Sequence, residues 1–128
     1  MIKNLSHVSL STNSLTKVKN FYVKKLGLKI IHEFRNEKKK LYGYFLKSGN
    51  DSYIEFFLSK QKIKSKRNKG LFRHICFEIY DIKKFNKKKF NNKYKIKRGK
   101  TDNILQFFTY DLEGNEIEFH QRDKFSKF

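Results

Sequence analysis

Apolar and polar residues alternate in short runs along this chain. Residues 5–11 set Leu5, His7, Ser9 and Ser11 against Ser6, Val8 and Leu10, the period of two that marks a strand. Residues 13–26, NSLTKVKNFYVKKL, place Leu15, Val18, Tyr22 and Leu26 at helical spacing. Asn13 or Ser14 can cap that helix and Gly27 can stop it. LKIIHEF, KLYGYFLK and SYIEFFLS read as three further strands, separated by the charged RNEKK and the turn sequence SGND. The order is βαβββ.

Residues 60–70, KQKIKSKRNKG, read as a polar, lysine-rich linker, after which the pattern restarts. LFRHICFEI reads as a strand. Residues 81–92, DIKKFNKKKFNN, read as a helix with an Asp cap and with Ile82, Phe85 and Phe90 on one side. KYKIK, ILQFFTY and, after the turn DLEGN, EIEFHQ read as three strands. This is βαβββ again. Superposing His7 on His74 also superposes Leu15 on Ile82 and Val18 on Phe85, all at an offset of 67. The expectation is an α+β domain over residues 1–128: module one over about 3–59, a linker over about 60–70 and module two over about 71–122.

Alternation assigns faces. His7 shares its face with Ser9 and Ser11, and Glu55 with Tyr53 and Phe57. His74 shares with Cys76 and Glu78, and Glu118 with Glu116 and His120. The opposite faces are apolar: Val8 and Leu10; Ile54, Phe56 and Leu58; Ile75, Phe77 and Ile79; Ile117 and Phe119. One face of each strand can therefore pack on a helix while the other lines a polar and aromatic surface. His7, Glu55, His74 and Glu118 fall at the ends of strand-like runs, one imidazole and one carboxylate per half. Two neutral imidazoles and two carboxylates form a nitrogen and oxygen set suited to a divalent transition metal. A carboxylate inside a hydrophobic strand also needs a partner, because leaving it unpaired costs several kcal/mol.

Composition changes this picture little. The chain has 128 residues, 38% of them hydrophobic, with 14 Phe and 7 Tyr, so its core material is more aromatic than aliphatic. Its net charge is +19, which raises the question of a nucleic-acid partner. Lysines outnumber arginines 26 to 5 and are spread along the chain, whereas groove and phosphate readers lean on the arginine fork. We read the charge as solvated surface that can draw in an anionic small substrate, with no specific nucleic acid. No apolar run is long enough to span a membrane. MIKNLSHVSL lacks the apolar core of a leader and reads as unprocessed. Cys76, the one cysteine, fits a reducing cytoplasm and reads as a small buried filler beside His74.

The opening HVSL, the helix and stop KNFYVKKLGLKI, the strand YIEFF, the block RHICFEIYDI and the ending YDLEGNEIEFHQ together resemble the vicinal oxygen chelate superfamily. That family includes glyoxalase I, ring-cleaving dioxygenases, methylmalonyl-CoA epimerase and fosfomycin-resistance transferases. The resemblance runs over roughly residues 3–122. It implies two tandem βαβββ modules forming a cupped eight-stranded mixed sheet around a metal, held by His7, Glu55, His74 and Glu118. The metal would be Ni, Co, Zn, Mn or Fe. Glu55 points to the glyoxalase I-like branch, since epimerases usually carry Gln there and the dioxygenases do not require a carboxylate.

The resemblance further implies a lyase or isomerase, lactoylglutathione lyase-like, acting on a small substrate with adjacent oxygens through a metal-stabilised enediolate. Glu118 or Glu55 would move the proton. Glutathione-using members carry an Arg four residues after the first His; Ser11 stands there, and glutathione stays open as a cosubstrate. Ser11, Arg35, Phe57, Cys76 and His120 are the remaining candidates for substrate contact. Small members of the family pair their modules across two chains, so a homodimer is expected. Two alternatives stand beside this: a ring-cleaving dioxygenase using two His and one carboxylate, and a protein that binds a small molecule or antibiotic without turnover.

Overall fold

The computed structural model describes residues 1–63 and 72–128 and divides the chain into two compact units, Met1–Lys64 and Ser65–Phe128. Most of the expected linker lies outside the described residues. In the first unit the order is β1 (His7–Thr12), α1 (Leu15–Val18) running into a π-helical stretch (Lys19–Lys25), β2 (Lys29–Arg35), β3 (Leu41–Lys47) and β4 (Tyr53–Leu58). In the second it is β5 (Ile75–Glu78), α2 (Ile82–Phe90), β6 (Lys97–Arg98), β7 (Leu105–Tyr110) and β8 (Glu116–Gln121). Each unit is a βαβββ module.

The two sheets have the same topology. Strand order is β1-β4-β3-β2 in module one and β5-β8-β7-β6 in module two. The first and last strands of each module are neighbours and run parallel; the remaining pairs are antiparallel. This topology brings the start of a module beside its end, which places a His at or just before the first strand next to a Glu on the last.

The first helix begins where the sequence says it should. Ser14 is extended and its side chain accepts from the Lys17 N–H, while Gly27 closes the far end with φ +87°. Its later turns are wider than expected. The Leu26 N–H donates to the Phe21 carbonyl, five residues back. That wider winding puts Phe21 as well as Val18 and Tyr22 into the core and leaves Leu15 and Leu26 half-buried. The Tyr22 and Phe56 rings then meet at 4.8 Å.

Helix α2 is capped by Asp81, which accepts from the Lys84 N–H, and ends on left-handed Asn91. Ile82 and Phe90 are buried, together with Asn86, whose amide donates to the Tyr94 carbonyl at 2.6 Å. That bond and the left-handed Asn91 and Asn92 turn residues 93–96 into a connector. The expected strand KYKIK is thus reduced to the short β6 at Lys97–Arg98. Tyr94 instead stacks on Phe107 at 5.2 Å and joins Phe90 and Phe119 in the core of module two. Among the described residues no helix is long and apolar enough to cross a membrane.

Candidate metal half-sites and family membership

The polar and apolar faces segregate as alternation requires. In β4, Ile54 and Phe56 are buried while Tyr53, Glu55 and Phe57 are half-buried on the other face. On the parallel neighbour, Ser9 pairs with Glu55, so His7 lies two residues before the partner of the carboxylate. His7 Nε2 stands 3.6 Å from Glu55 Oε1.

Module two repeats this placement. Cys76 pairs with Glu118, and His74 again lies two residues before the partner of the carboxylate. His74 Nε2 stands 2.8 Å from Glu118 Oε2. Glu118 is buried, with only 7% of its surface exposed, so its charge depends on these neighbours. Glu116 is a more distant second carboxylate, with Oε1 3.9 Å from His74 Nδ1.

The hairpin that carries Glu118 is fixed by the turn DLEGN. Asp111 Oδ1 accepts from the Glu113 and Asn115 N–H groups, and Asp111 Oδ2 accepts from the Asn115 side chain at 2.6 Å. Gly114, at φ +85°, supplies the left-handed residue this turn needs.

Two residues escape a reading of the sequence. Phe45 pairs with Glu55 and meets His7 edge-to-face at 5.7 Å. Phe108 pairs with Glu118 and meets His74 edge-to-face at 5.5 Å. A ring against each imidazole restricts how the imidazole turns. A signal for them exists: Phe45 and Phe108 are 63 residues apart, the same offset as Glu55 and Glu118.

The other candidates divide. Ser11 lies on the His7 face of β1, paired with Phe57. Phe57 packs on Phe34 at 4.9 Å and extends the aromatic surface away from Glu55. His120 Nδ1 stands 3.6 Å from Glu118 Oε1, so this carboxylate lies between two imidazoles. Cys76 is exposed, unlike the buried filler the sequence suggests, because β5 is an edge strand and Cys76 is on its polar face. Partial desolvation and the Glu118 charge push its thiol up to about 12. Arg35 is engaged elsewhere. It donates to Glu33 Oε2 at 2.8 Å and to the Lys39 carbonyl at 2.9 Å, clamping the β2–β3 turn. It sits on the edge strand opposite β1, away from His7.

The fold has counterparts among known proteins. Residues 4–119 match the Glyoxalase/Bleomycin resistance protein/Dioxygenase superfamily. The chain belongs to this superfamily. Among solved structures it is similar to a glyoxalase family protein from Enterococcus faecalis, at 24% identity and TM-score 0.71, over 92% of this chain and 97% of that one. It is also similar to a protein from Bacillus anthracis described as of the glyoxalase family, at 20% identity and TM-score 0.74, over 96% and 98%. The fosfomycin resistance protein FosX from Mesorhizobium loti aligns at 15% identity and TM-score 0.64, over 97% and 96%. At these identities the likenesses speak for the fold. No curated protein matches the chain. The superfamily contains metal-dependent enzymes, and its members generally bind a divalent metal and small-molecule substrates and often form dimers.

Proposed function

We propose that this protein is a divalent-metal-dependent lyase or isomerase of glyoxalase type, with His7, Glu55, His74 and Glu118 as its ligands. The observation that carries the reading is the repeated register. In both modules a His at or just before the first strand stands diagonally across from a Glu on the parallel last strand, 3.6 Å apart in one and 2.8 Å in the other. The donor set fits a divalent ion: two imidazoles, two carboxylates, and one of those carboxylates buried among groups of limited compensating charge. One ion needs both pairs, brought together within one chain or between the two chains of a homodimer.

When bound, the ion supplies Lewis acidity toward two adjacent oxygens of a small substrate. The residues supply the rest. Glu118 Oε2 or Glu55 Oε1 accepts the proton from the substrate carbon and returns it to the neighbouring carbon. His74 and His7 hold those carboxylates in place, and Phe108 and Phe45 hold the imidazoles. The absence of an Arg at Ser11 leaves a substrate carboxylate without its charged partner at that position. Losing one such bond costs about 1.5–3 kcal/mol, so glutathione is a poor cosubstrate in this reading. The charge of +19 favours anionic substrates in general.

The test is turnover by nickel-, cobalt- and zinc-loaded protein of methylglyoxal, with and without glutathione, together with deuterium uptake at the substrate carbon in D2O. Metal-dependent exchange or turnover that is lost in Glu118→Gln is the expected result. Glutathione-dependent kcat/KM is expected below ~10⁴ M⁻¹s⁻¹, at the low edge of ordinary enzymes. Neither exchange nor turnover with any of the metals, or full activity in Glu118→Gln, would overturn the assignment.

A further inference from the structure

Module two carries more donors than half of a four-ligand centre needs. The shared register gives the equivalent positions: Ser9 in module one is Cys76 in module two, Ser11 is Glu78, and Phe57 is His120. Where module one offers a hydroxyl and a phenyl ring beside its carboxylate, module two offers a thiol and an imidazole beside Glu118.

These groups are close. One ligand atom each from Cys76, Glu118 and His120 lies within 4.8 Å of the others. A tetrahedral ion with nitrogen and oxygen ligands at ~2.0–2.2 Å and sulfur at ~2.3 Å holds its ligand atoms about 3.3–3.7 Å apart. The cluster must therefore tighten by at most about 1.5 Å, which rotation of the exposed Cys76 side chain can supply. The local charge favours a cation despite the basic chain, because Glu116 and Glu118 share this face. Arg122 is held by Glu78. Its Nη1 donates to Glu78 at 2.6 Å and lies 3.4 Å from His120 Nε2, leaving Nδ1 toward Glu118.

We propose that module two holds, on its own residues, a thiolate-containing site for a soft divalent ion such as Zn²⁺ or Cd²⁺, formed by Cys76 Sγ, Glu118 and His120, with His74 against the same carboxylate. Sulfur selects for soft ions, whereas harder ions such as Mn²⁺ prefer oxygen and nitrogen donors. The thiol proton passes to solvent as the ion binds. This site shares Glu118 with the centre proposed above but needs neither His7 nor Glu55. The identity of the ion then decides which set of ligands Glu118 joins.

The experiment adds Cd²⁺ alone to the full-length protein and to its His7→Ala/Glu55→Gln double variant, reading the ultraviolet thiolate-to-metal charge-transfer band and the bound stoichiometry. Both proteins should bind one equivalent with the band present. Cys76→Ser should abolish the band and weaken Cd²⁺ binding at least tenfold, with circular dichroism unchanged. His120→Ala, or His120→Gln if the alanine variant fails to fold, should also weaken it at least tenfold. A double variant without the band at saturating Cd²⁺ would overturn the site. So would unchanged affinity in the His120 variants, which would reduce the site to a lone thiol.

Discussion

Gly43 shows how much the mixed face of module one depends on a side chain that is absent. A Cβ there would lie 2.7 Å from the Phe56 carbonyl oxygen and 2.8 Å from Phe57 Cδ1, with Phe34 Cδ2 at 3.1 Å. The first of these is backbone of the neighbouring strand and cannot swing aside. Gly43→Ala should destabilise module one by about 1–3 kcal/mol, the range for overpacking a filled site, read as a lower urea midpoint. The Phe57 ring should also move, visible in its aromatic proton shifts. A neutral Gly43→Ala would mean that the two rings and strand β4 yield more easily than the packing implies. Glu55 and Glu118 stand out in the sequence because each has apolar residues on both sides, Ile54 and Phe56 for one and Ile117 and Phe119 for the other, while His7 and His74 stand out by recurring at an offset of 67. Phe45 and Phe108 are hidden for another reason: in LYGYFLK and LQFFTY an aromatic residue stands directly before each of them, Tyr44 and Phe107, so parity alone does not single them out. The exposure of Cys76 is not legible either, because a sequence does not say which strand lies at the edge of a sheet.

At the level of elements, the caps are the most readable feature. Ser14 and Asp81 both accept from the N–H three residues on. Ser14→Ala and Asp81→Ala should each cost about 1 kcal/mol, measured by urea unfolding; no loss in either would show that the helix starts are held by packing instead. The wide turns after Lys19 are not readable, because the spacing of Leu15, Val18, Tyr22 and Leu26 already fits a regular helix. The shortness of β6 is hidden because alternation in KYKIK imitates a strand, while Asn86 and two left-handed Asn residues bend that segment. β6 is instead tied to the tail by Arg98, whose Nη2 reaches Asp123 Oδ2 at 2.6 Å and whose Nη1 reaches Oδ1 at 3.1 Å. The guanidinium holds the Asp123 carboxyl down at about 2, from an ordinary 3.8. A lowered carboxyl pKa contributes stability above pH 3.8 that is lost as pH falls toward 2. A carbon-detected NMR titration should place the Asp123 midpoint near 2 in the wild type and higher in Arg98→Ala, still held below 3.8 by the Phe125 N–H and the Ser126 hydroxyl. An unchanged midpoint in the variant would remove Arg98 as the cause.

For the whole molecule, the twofold repeat is legible from the amino-acid order alone, because element order and the spacing of His and Glu recur within 128 residues. Both modules have the expected βαβββ order, and the superfamily match spans 4–119. A shared centre across two chains predicts a homodimer by light scattering at micromolar concentration, and a monomer would favour a centre within one chain. The central claim is that a His–Glu pair from each module serves the same ion. Equilibrium dialysis of Mn²⁺ tests it most directly, with free ion read by electron paramagnetic resonance, because Mn²⁺ favours oxygen and nitrogen donors over the Cys76 thiolate. One ion per His7–Glu55–His74–Glu118 set is predicted in the wild type, with at least tenfold weaker binding in each of His7→Ala, Glu55→Gln, His74→Ala and Glu118→Gln. Wild-type affinity in His7→Ala or Glu55→Gln, with binding lost only on changing His74 or Glu118, would contradict a joint centre.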